Sequence, residues 1–296
     1  MLYRKYFRSG ALAFICFALL AAAPAHGNAP ALWRVADADS EIWLFGTVHM
    51  LPQHVRWRSP AFDRAFAAAD TVFLEADLTA APRRGFRATI MQLGRNANFV
   101  TLSSLLGSRD TERLARAAER LGIPPGQLEP LRPWLASIRL SLTSMAAQGF
   151  ESRSGVDGII ADMTRAAGKR LGYLETVQEQ FEIFAALSPA AEKAFLMATV
   201  AQVEEGPSGG LAELVTAWSE GGTNRFDRQF QATLGGDLPE LRNALFIDRN
   251  RRWTQRIARL MKGAGKALIA VGAGHLAGDD GVVGLLRAKG YRVSRQ

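Results

Sequence analysis

Three histidines, His49, His54 and His275, lie beyond residue 27 of this 296-residue chain. Two of them follow a glycine by three positions, in Gly46-Thr47-Val48-His49 and Gly272-Ala273-Gly274-His275. Each motif closes an apolar run that reads as a strand. Glycine permits a sharp turn and close backbone approach. An imidazole at a strand exit sits on a rigid scaffold and faces a crevice. Neutral imidazole is a common ligand for divalent transition metals. The competing account is a pair of ordinary loop or capping histidines. A catalytic metal also wants a third protein ligand and an open coordination position. Glu75 is the best candidate, because it interrupts the apolar strand Val72-Phe73-Leu74-Glu75-Ala76, where a carboxylate is costly unless paired or metal-bound. A salt bridge at the sheet surface is the plain alternative for Glu75. Asp77 is the weaker choice of ligand.

A second constellation lies near the C-terminus. Phe246, Trp253, Ile257 and Leu260 mark one apolar helical face, and Asn250 falls on it. Arg249, Arg252, Arg256 and Arg259 run beside that face. A polar amide in an apolar stripe usually has a buried partner. Arg249 and Asn250 together suit a clamp on a substrate carbonyl or carboxylate. A solvated arginine face with one satisfied asparagine is the other reading. The glycines of 272–278 resemble a phosphate loop, but the spacing is not Gly-x-Gly-x-x-Gly and too little chain follows for another βαβ unit.

The elements that must position these residues follow from periodicity and punctuation. Leu32 to Ala36 and Glu41 to Val48 read as strands around the turn Asp37 to Ser40, and Thr71 to Leu78 as a third. Pro60 to Ala69 reads as a helix with Ser59 as N-cap. The middle reads as helices over 110–121, 133–148 and 155–167. A short strand from Arg170 to Glu175 leads into a helix over 176–187, and helices follow near 190–204 and 211–220. Asp237 to Met261 reads as one long helix. Lys266 to Val271 is a buried strand, Asp280 to Lys289 a helix and Tyr291 to Val293 a last strand. The expectation is an α/β (α+β) domain with a central mixed sheet fed by strands from both chain ends and a helical middle.

The first 27 residues read as a secretory signal: Arg4, Lys5 and Arg8 without acids, an apolar run from Ala11 to Ala23, and small residues suited to cleavage after Ala25 or Gly27. The run is short against the roughly 20 residues of a membrane span, although an uncleaved anchor is the alternative. The expected organisation is therefore a signal peptide over 1–27 and one domain over 28–296. The expected location is periplasmic or secreted, with no stable membrane span after cleavage. The only cysteine, Cys16, leaves with the signal, so the mature chain has no disulfide. The formal charge of +8 falls to +5 as three basic residues are removed. That mild excess points to solubility and not to nucleic-acid binding. Oligomeric state is not legible.

Several short motifs, in this order and spacing, resemble the TraB/GumN family, which is related to the TIKI metalloproteases. They are Leu44 to His49, Leu74-Glu75, Arg132-Pro133-Trp134, Gly155-Val156-Asp157, Leu174-Glu175-Thr176 with Gln180, Arg249-Asn250, and Val271 to Gly278. The resemblance spans essentially the whole mature chain. It implies a metal-dependent peptidase that uses His49, His275 and Glu75, with manganese, cobalt or zinc as the divalent metal cation. Glu75 would ligate the metal or act as general base, and Arg249 and Asn250 would position substrate or stabilise an oxyanion. Asp157, Glu175 and Gln180 would support the ligands, and Trp134 is a candidate substrate contact. The substrate would be a peptide or a small molecule. Related folds also include erythromycin esterases and a haem-binding lipoprotein family, so the fold alone does not decide the chemistry. The alternatives are a non-catalytic envelope protein that binds a peptide or haem in the same pocket, and a structural protein with vestigial histidines.

Overall fold

The computed structural model describes residues 29–77, 84–206, 210–234 and 238–296. The expected signal segment with Cys16, the end of the expected third strand at Leu78 and the expected helix start at Asp237 lie outside the described residues. β1 (Leu32–Ala36) and β2 (Ser40–Thr47) form an antiparallel hairpin. Asp37 closes its turn, Oδ1 accepting from the backbone N–H of Ser40 at 2.9 Å. α1 (Pro60–Ala68) starts at Ser59, whose hydroxyl accepts from the Phe62 N–H, with Pro60 in the first turn. β3 (Thr71–Leu74) follows.

The helical middle comprises α2 (Arg84–Gly94), α3 (Leu102–Leu106), α4 (Ser108–Arg120), α5 (Pro133–Ala147) and α6 (Val156–Ala166). β4 (Arg170–Tyr173) returns to the sheet and feeds α7 (Val177–Ala185) through a Thr176–Glu179 capping box. Next come α8 (Pro189–Glu205), α9 (Gly210–Ser219) and α10 (Thr223–Leu234). The expected long helix is three pieces: α11 (Pro239–Arg242), a π-helical turn over Asn243–Ile247, and α12 (Asp248–Leu260). β5 (Gly265–Gly272), α13 (Val282–Ala288) and β6 (Val293–Arg295) complete the chain.

The sheet is mixed and six-stranded, in the order β4-β3-β5-β2-β1-β6, so both chain ends feed it. β4, β3, β5 and β2 are mutually parallel, whereas β1 is antiparallel to β2 and β6 to β1. β2 and β5 are central and covered on both faces, which explains their near-continuous apolar sequences. On one face Trp43, Phe45, Leu268 and Ala270 meet Phe62 and Phe66 of α1 and Ile160 of α6. On the other, Ile42, Leu44, Ile269 and Val271 meet Trp253 and Ile257 of α12 and Leu286 of α13. A third apolar cluster is mainly helical and centres on Trp134, Leu140, Leu196 and Val200. Among the described residues no single helix is long and apolar enough to cross a membrane. The pair α7 and α8 meets that test only together, and it is bent by 98°.

One glycine ties a helix to the first histidine turn. The Val156 N–H donates to Val48 O at 3.0 Å, and a Cβ on Gly155 would lie 2.2 Å from His49 O. Gly155→Ala is expected to push α6 away from this turn and destabilise the fold by about 1–3 kcal/mol, as overpacking does. Urea unfolding measures it, and an unchanged midpoint would show that the contact relaxes freely.

Candidate functional site

The four parallel strands end side by side on one edge of the sheet. Past those ends stand His49 after β2, Glu75 after β3, Glu175 after β4 and His275 after β5. Ligands of open α/β sheets bind outside the carboxyl ends of the strands. β5 inserts between β2 and β3, with Thr47 opposite Gly272 and Ile269 opposite Phe73. This insertion brings residues separated by more than two hundred positions to one point. A Cβ on Gly272 would lie 3.1 Å from Glu75 Oε1, 3.6 Å from His275 Cδ2 and 3.9 Å from His49 Nε2. The three side chains therefore converge on the space that this glycine leaves open. Gly272 has an ordinary φ of −48°. A Cβ on Gly46 would lie 3.0 Å from Ala273 Cα. Both motif glycines thus serve close approach and not left-handed turns.

His275 is buried, and both ring nitrogens are engaged. Nδ1 faces Asn250 Oδ1 at 2.6 Å, and Arg249 Nη1 donates to Nε2 at 2.9 Å. Asn250 Nδ2 donates to Asp280 O at 2.9 Å, which sets the amide so that its oxygen faces the ring. The proton therefore belongs on His275 Nδ1, and the Nε2 lone pair accepts from Arg249 while Nε2 lies 3.7 Å from Glu75 Oε1. Burial holds this imidazole neutral, with its pKa lowered to about 3. Phe246 and Trp253 flank the ring at 4.9 and 4.5 Å between centroids. Asn250 has both ends of its amide in use, so the expected substrate clamp gives way to a positioning role on His275.

His49 differs: about half of its side chain is exposed (51%), and Nδ1 contacts Asp157 Oδ2 at 2.8 Å. Thr47 Oγ1 donates to the other Asp157 oxygen at 2.6 Å. The Asp157 charge raises His49 from 6.5 to about 9, against the opposing effect of desolvation. At neutral pH His49 is therefore an imidazolium, and its Nε2 is the nitrogen facing Gly272. His54 is exposed and lies outside this cluster.

Glu75 is sealed in by its partners. Oε1 accepts from the Gly272 N–H at 2.7 Å, and Oε2 accepts from Arg249 Nη2 at 2.7 Å and Gln180 Nε2 at 3.2 Å. Burial pushes its pKa up, but Arg249, His49 and the Gly272 N–H outweigh that and hold it well below the usual carboxylate range. Arg249 also makes a two-point contact with Glu175, Nε to Oε2 at 3.1 Å and Nη2 to Oε1 at 2.6 Å. Burial raises the pKa of Glu175, and Arg249 only partly offsets it. Of the two acids Glu75 is the firmly ionised one, because it alone adds a backbone donor and Gln180. Arg249 Nη1 further donates to Leu245 O at 3.0 Å. All five guanidinium N–H bonds are thus engaged. The expected solvated arginine face is not what Arg249 occupies: it is buried over the Trp253 ring, 4.5 Å from its centroid.

Other expectations change place. Trp134 is fully buried (0%) in the helical core, stacked on Phe184 at 5.6 Å. No substrate reaches it without opening that core, so it is a packing residue and not a substrate contact. Asp77 turns to Arg165 and Tyr173 and not to the histidines. Two supports had no sequence signal. Trp218 Nε1 donates to Gly46 O at 2.9 Å, and the π-helical turn aims Phe246 at His275 while Leu245 O meets Arg249. A π turn frequently marks such a site, but one extra residue per turn leaves no mark in an apolar stripe.

The residue types are those that ligate a divalent transition metal, one imidazole held neutral and an ionised carboxylate among them, but His49 is held protonated by Asp157 and must lose a proton before it can ligate. Arg249 Nη1 already takes the His275 Nε2 lone pair, so the arrangement is not a finished cage. Among the described residues no three His, Cys, Asp or Glu side chains stand ready to hold a metal ion.

An open sheet that gathers polar side chains past the ends of its parallel strands defines an α/β protein, in a class whose ligands bind at that edge. The chain belongs to the TraB/PrgY/gumN family, whose model matches residues 31–295. Metalloprotease TIKI2 of Danio rerio is 26% identical over 303 residues, which cover 85% of this chain and 57% of that protein. The chain thus spans little more than half the length of that relative. No solved structure matches it.

Proposed function

We propose that this protein is an exported metal-dependent hydrolase that acts on peptide bonds. The observation that carries the reading is the meeting of His49, Glu75 and His275 around Gly272 at the carboxyl edge of the sheet. The similarity to a metalloprotease supports the choice of reaction. The N-terminal pattern of charge and apolar residues supports export.

His49 Nε2 and His275 Nε2 would hold a manganese, cobalt or zinc ion, with Glu75 as a third ligand or as general base beside it. Such an ion supplies Lewis acidity to a scissile carbonyl and to water. The protein residues have defined tasks. Asn250, set by Asp280 O, keeps the His275 Nε2 lone pair turned to the centre. Asp157 orients His49 from the outside. In the general-base role Glu75, ionised at neutral pH, would accept a proton from the attacking water. Arg249 must release His275 Nε2 when His275 takes another partner. Its Nη1–H then becomes the one guanidinium donor free for a substrate carbonyl oxygen. Haem ligation through His275 is disfavoured, because Phe246 and Trp253 pack beside the buried ring and leave no room for a macrocycle.

Metal content and turnover test the reading together. The purified protein is expected to retain a divalent transition metal that the His49→Ala/His275→Ala variant lacks. It is also expected to cleave members of a diverse peptide library supplemented with Mn²⁺, Co²⁺ or Zn²⁺. Metal binding no tighter than in the double variant sinks the proposal. Tight binding without any cleavage favours the non-catalytic reading.

A further inference from the structure

The described residues expose five large apolar side chains, and four of them gather in one stretch. Met91 lies on α2, Phe99 and Val100 on the turn that follows, and Leu105 on α3. Phe99 is fully exposed, and among the described residues it alone is a non-glycine residue with a left-handed backbone, φ +68°. A bulky side chain rarely adopts that conformation, which glycine takes freely. The ring is therefore held in water against both its hydrophobicity and its backbone preference, and such outliers cluster at functional places. The turn is firmly held. The Val100 N–H donates to Ala97 O at 3.1 Å. Before it, the Asn96 N–H donates to Pro130 O at 2.9 Å and Asn96 Nδ2 donates to Leu131 O at 2.7 Å. After it, the Leu102 N–H donates to Glu129 O at 2.8 Å. Both flanks are tied to one segment, so Phe99 is presented outward and does not fold back on the core.

The surroundings are basic. From Arg83 to Arg109 the chain carries five arginines and no acidic residue. α2 turns Phe86, Ile90, Leu93 and Gly94 inward, against Phe181 and the helical core. That leaves Arg87, Met91 and Arg95 exposed at four-residue spacing on its outer side. Among the described residues the side chains of Arg87 and Arg95 make no hydrogen bond and no ion pair. The acids that adjoin the stretch are occupied. Glu129 accepts from the Ser103 N–H and hydroxyl, and Asp110 pairs with Lys193 at 2.9 Å.

We propose that this turn seats the protein on a lipid bilayer with anionic headgroups, Phe99 and Val100 entering the interface and Arg87 and Arg95 meeting the headgroup phosphates. A projecting apolar tip with a basic flank suits a fluid bilayer, which offers hydrocarbon to the one and negative charge to the other and needs no complementary shape. The inference stands apart from the hydrolase reading: it concerns where the protein rests and not what it cleaves.

The test uses the full chain with Cys16→Ser and Asn98→Cys, carrying an environment-sensitive fluorophore at position 98 beside Phe99. Vesicles of equal parts phosphatidylglycerol and phosphatidylcholine are titrated in, with phosphatidylcholine vesicles as the control. The emission is expected to shift to the blue with the anionic vesicles only. Half-saturating lipid is expected to rise about tenfold or more in Phe99→Gly, the scale of one buried aromatic side chain. A rise of about tenfold or more is also expected in Arg87→Gln/Arg95→Gln, where each lost charge counts about fivefold at an anionic surface. Glycine suits the positive φ, so the melting temperature of Phe99→Gly is expected to hold. The N-terminal apolar run is common to every variant, so the differences belong to the turn. No shift on anionic vesicles, an equal shift on phosphatidylcholine alone, or a titration unchanged in Phe99→Gly would each overturn the proposal. A blue shift that grows with protein concentration without vesicles would overturn it in favour of a second copy of the chain on this face.

Discussion

Arg249→Ala is expected to destabilise the protein by about 3–5 kcal/mol, the range for removing one partner of a buried ion pair. The reason is what it leaves behind. Glu75 and Glu175 are both buried, and Arg249 is the cation between them. Without it two carboxylates face each other and Leu245 O loses its donor. Arg249→Lys is expected to recover only part of the loss, because an ammonium cannot span two carboxylates, a carbonyl and an imidazole in one plane. Adding Glu175→Gln to Arg249→Ala should restore stability relative to the single variant, because it removes one of the stranded charges. Urea unfolding of the four proteins measures this. A loss below about 1 kcal/mol for Arg249→Ala would place the pair among weakly coupled surface bridges and remove Arg249 from its central position.

The second large effect falls on activity. Glu75→Gln keeps the shape of the side chain but removes the charge and one acceptor. Its stability cost is expected to be modest, about 1–3 kcal/mol for a buried hydrogen bond lost. Cleavage of any peptide found in the library digest is expected to fall by about 10²–10⁴-fold, the scale of general acid–base catalysis. Rates compared well below the melting temperature separate the two effects. The split is informative because Gln180, Gly272 and Arg249 still surround the side chain. A variant that folds and keeps its metal but loses turnover identifies proton transfer at Glu75. A variant that keeps full turnover excludes Glu75 as the base and leaves it as a structural partner of Arg249.

Much of the frame was legible because it is local. The hairpin turn is announced by Asp37, the α7 start by Thr176 and Glu179, and the buried strands by runs such as Ala267 to Val271. Helices with little apolar surface were not. α10 presents only Phe226, Phe230 and Leu234 at helical spacing, too narrow a stripe to stand out from a loop, yet its aromatic residues reach Gly274 and Phe246. α2 and α3 are short or polar and take their place from packing in the helical core. The meaning of Asn250 was half legible. A polar amide in an apolar stripe signals a buried partner, but nothing in the chain says that the partner is His275 and not a substrate.

The sequence by itself determined the chemistry available: three histidines beyond residue 27, two of them after Gly-x-x, an acid in an apolar strand, and an Arg-Asn pair on a helix. Composition and spacing record these because they depend on neighbours a few residues away. Only the tertiary structure decided that they meet. β5 must enter the sheet between β2 and β3 for His275 to lie against Glu75 and His49, and strand order is settled by burial of both sheet faces rather than by any local signal. The same is true of the roles. Arg249 looks like a solvated helix residue in one dimension. It becomes the buried centre of the site because the ends of β3 and β4 bring two carboxylates to one guanidinium, where each charge is tolerable only with the other present.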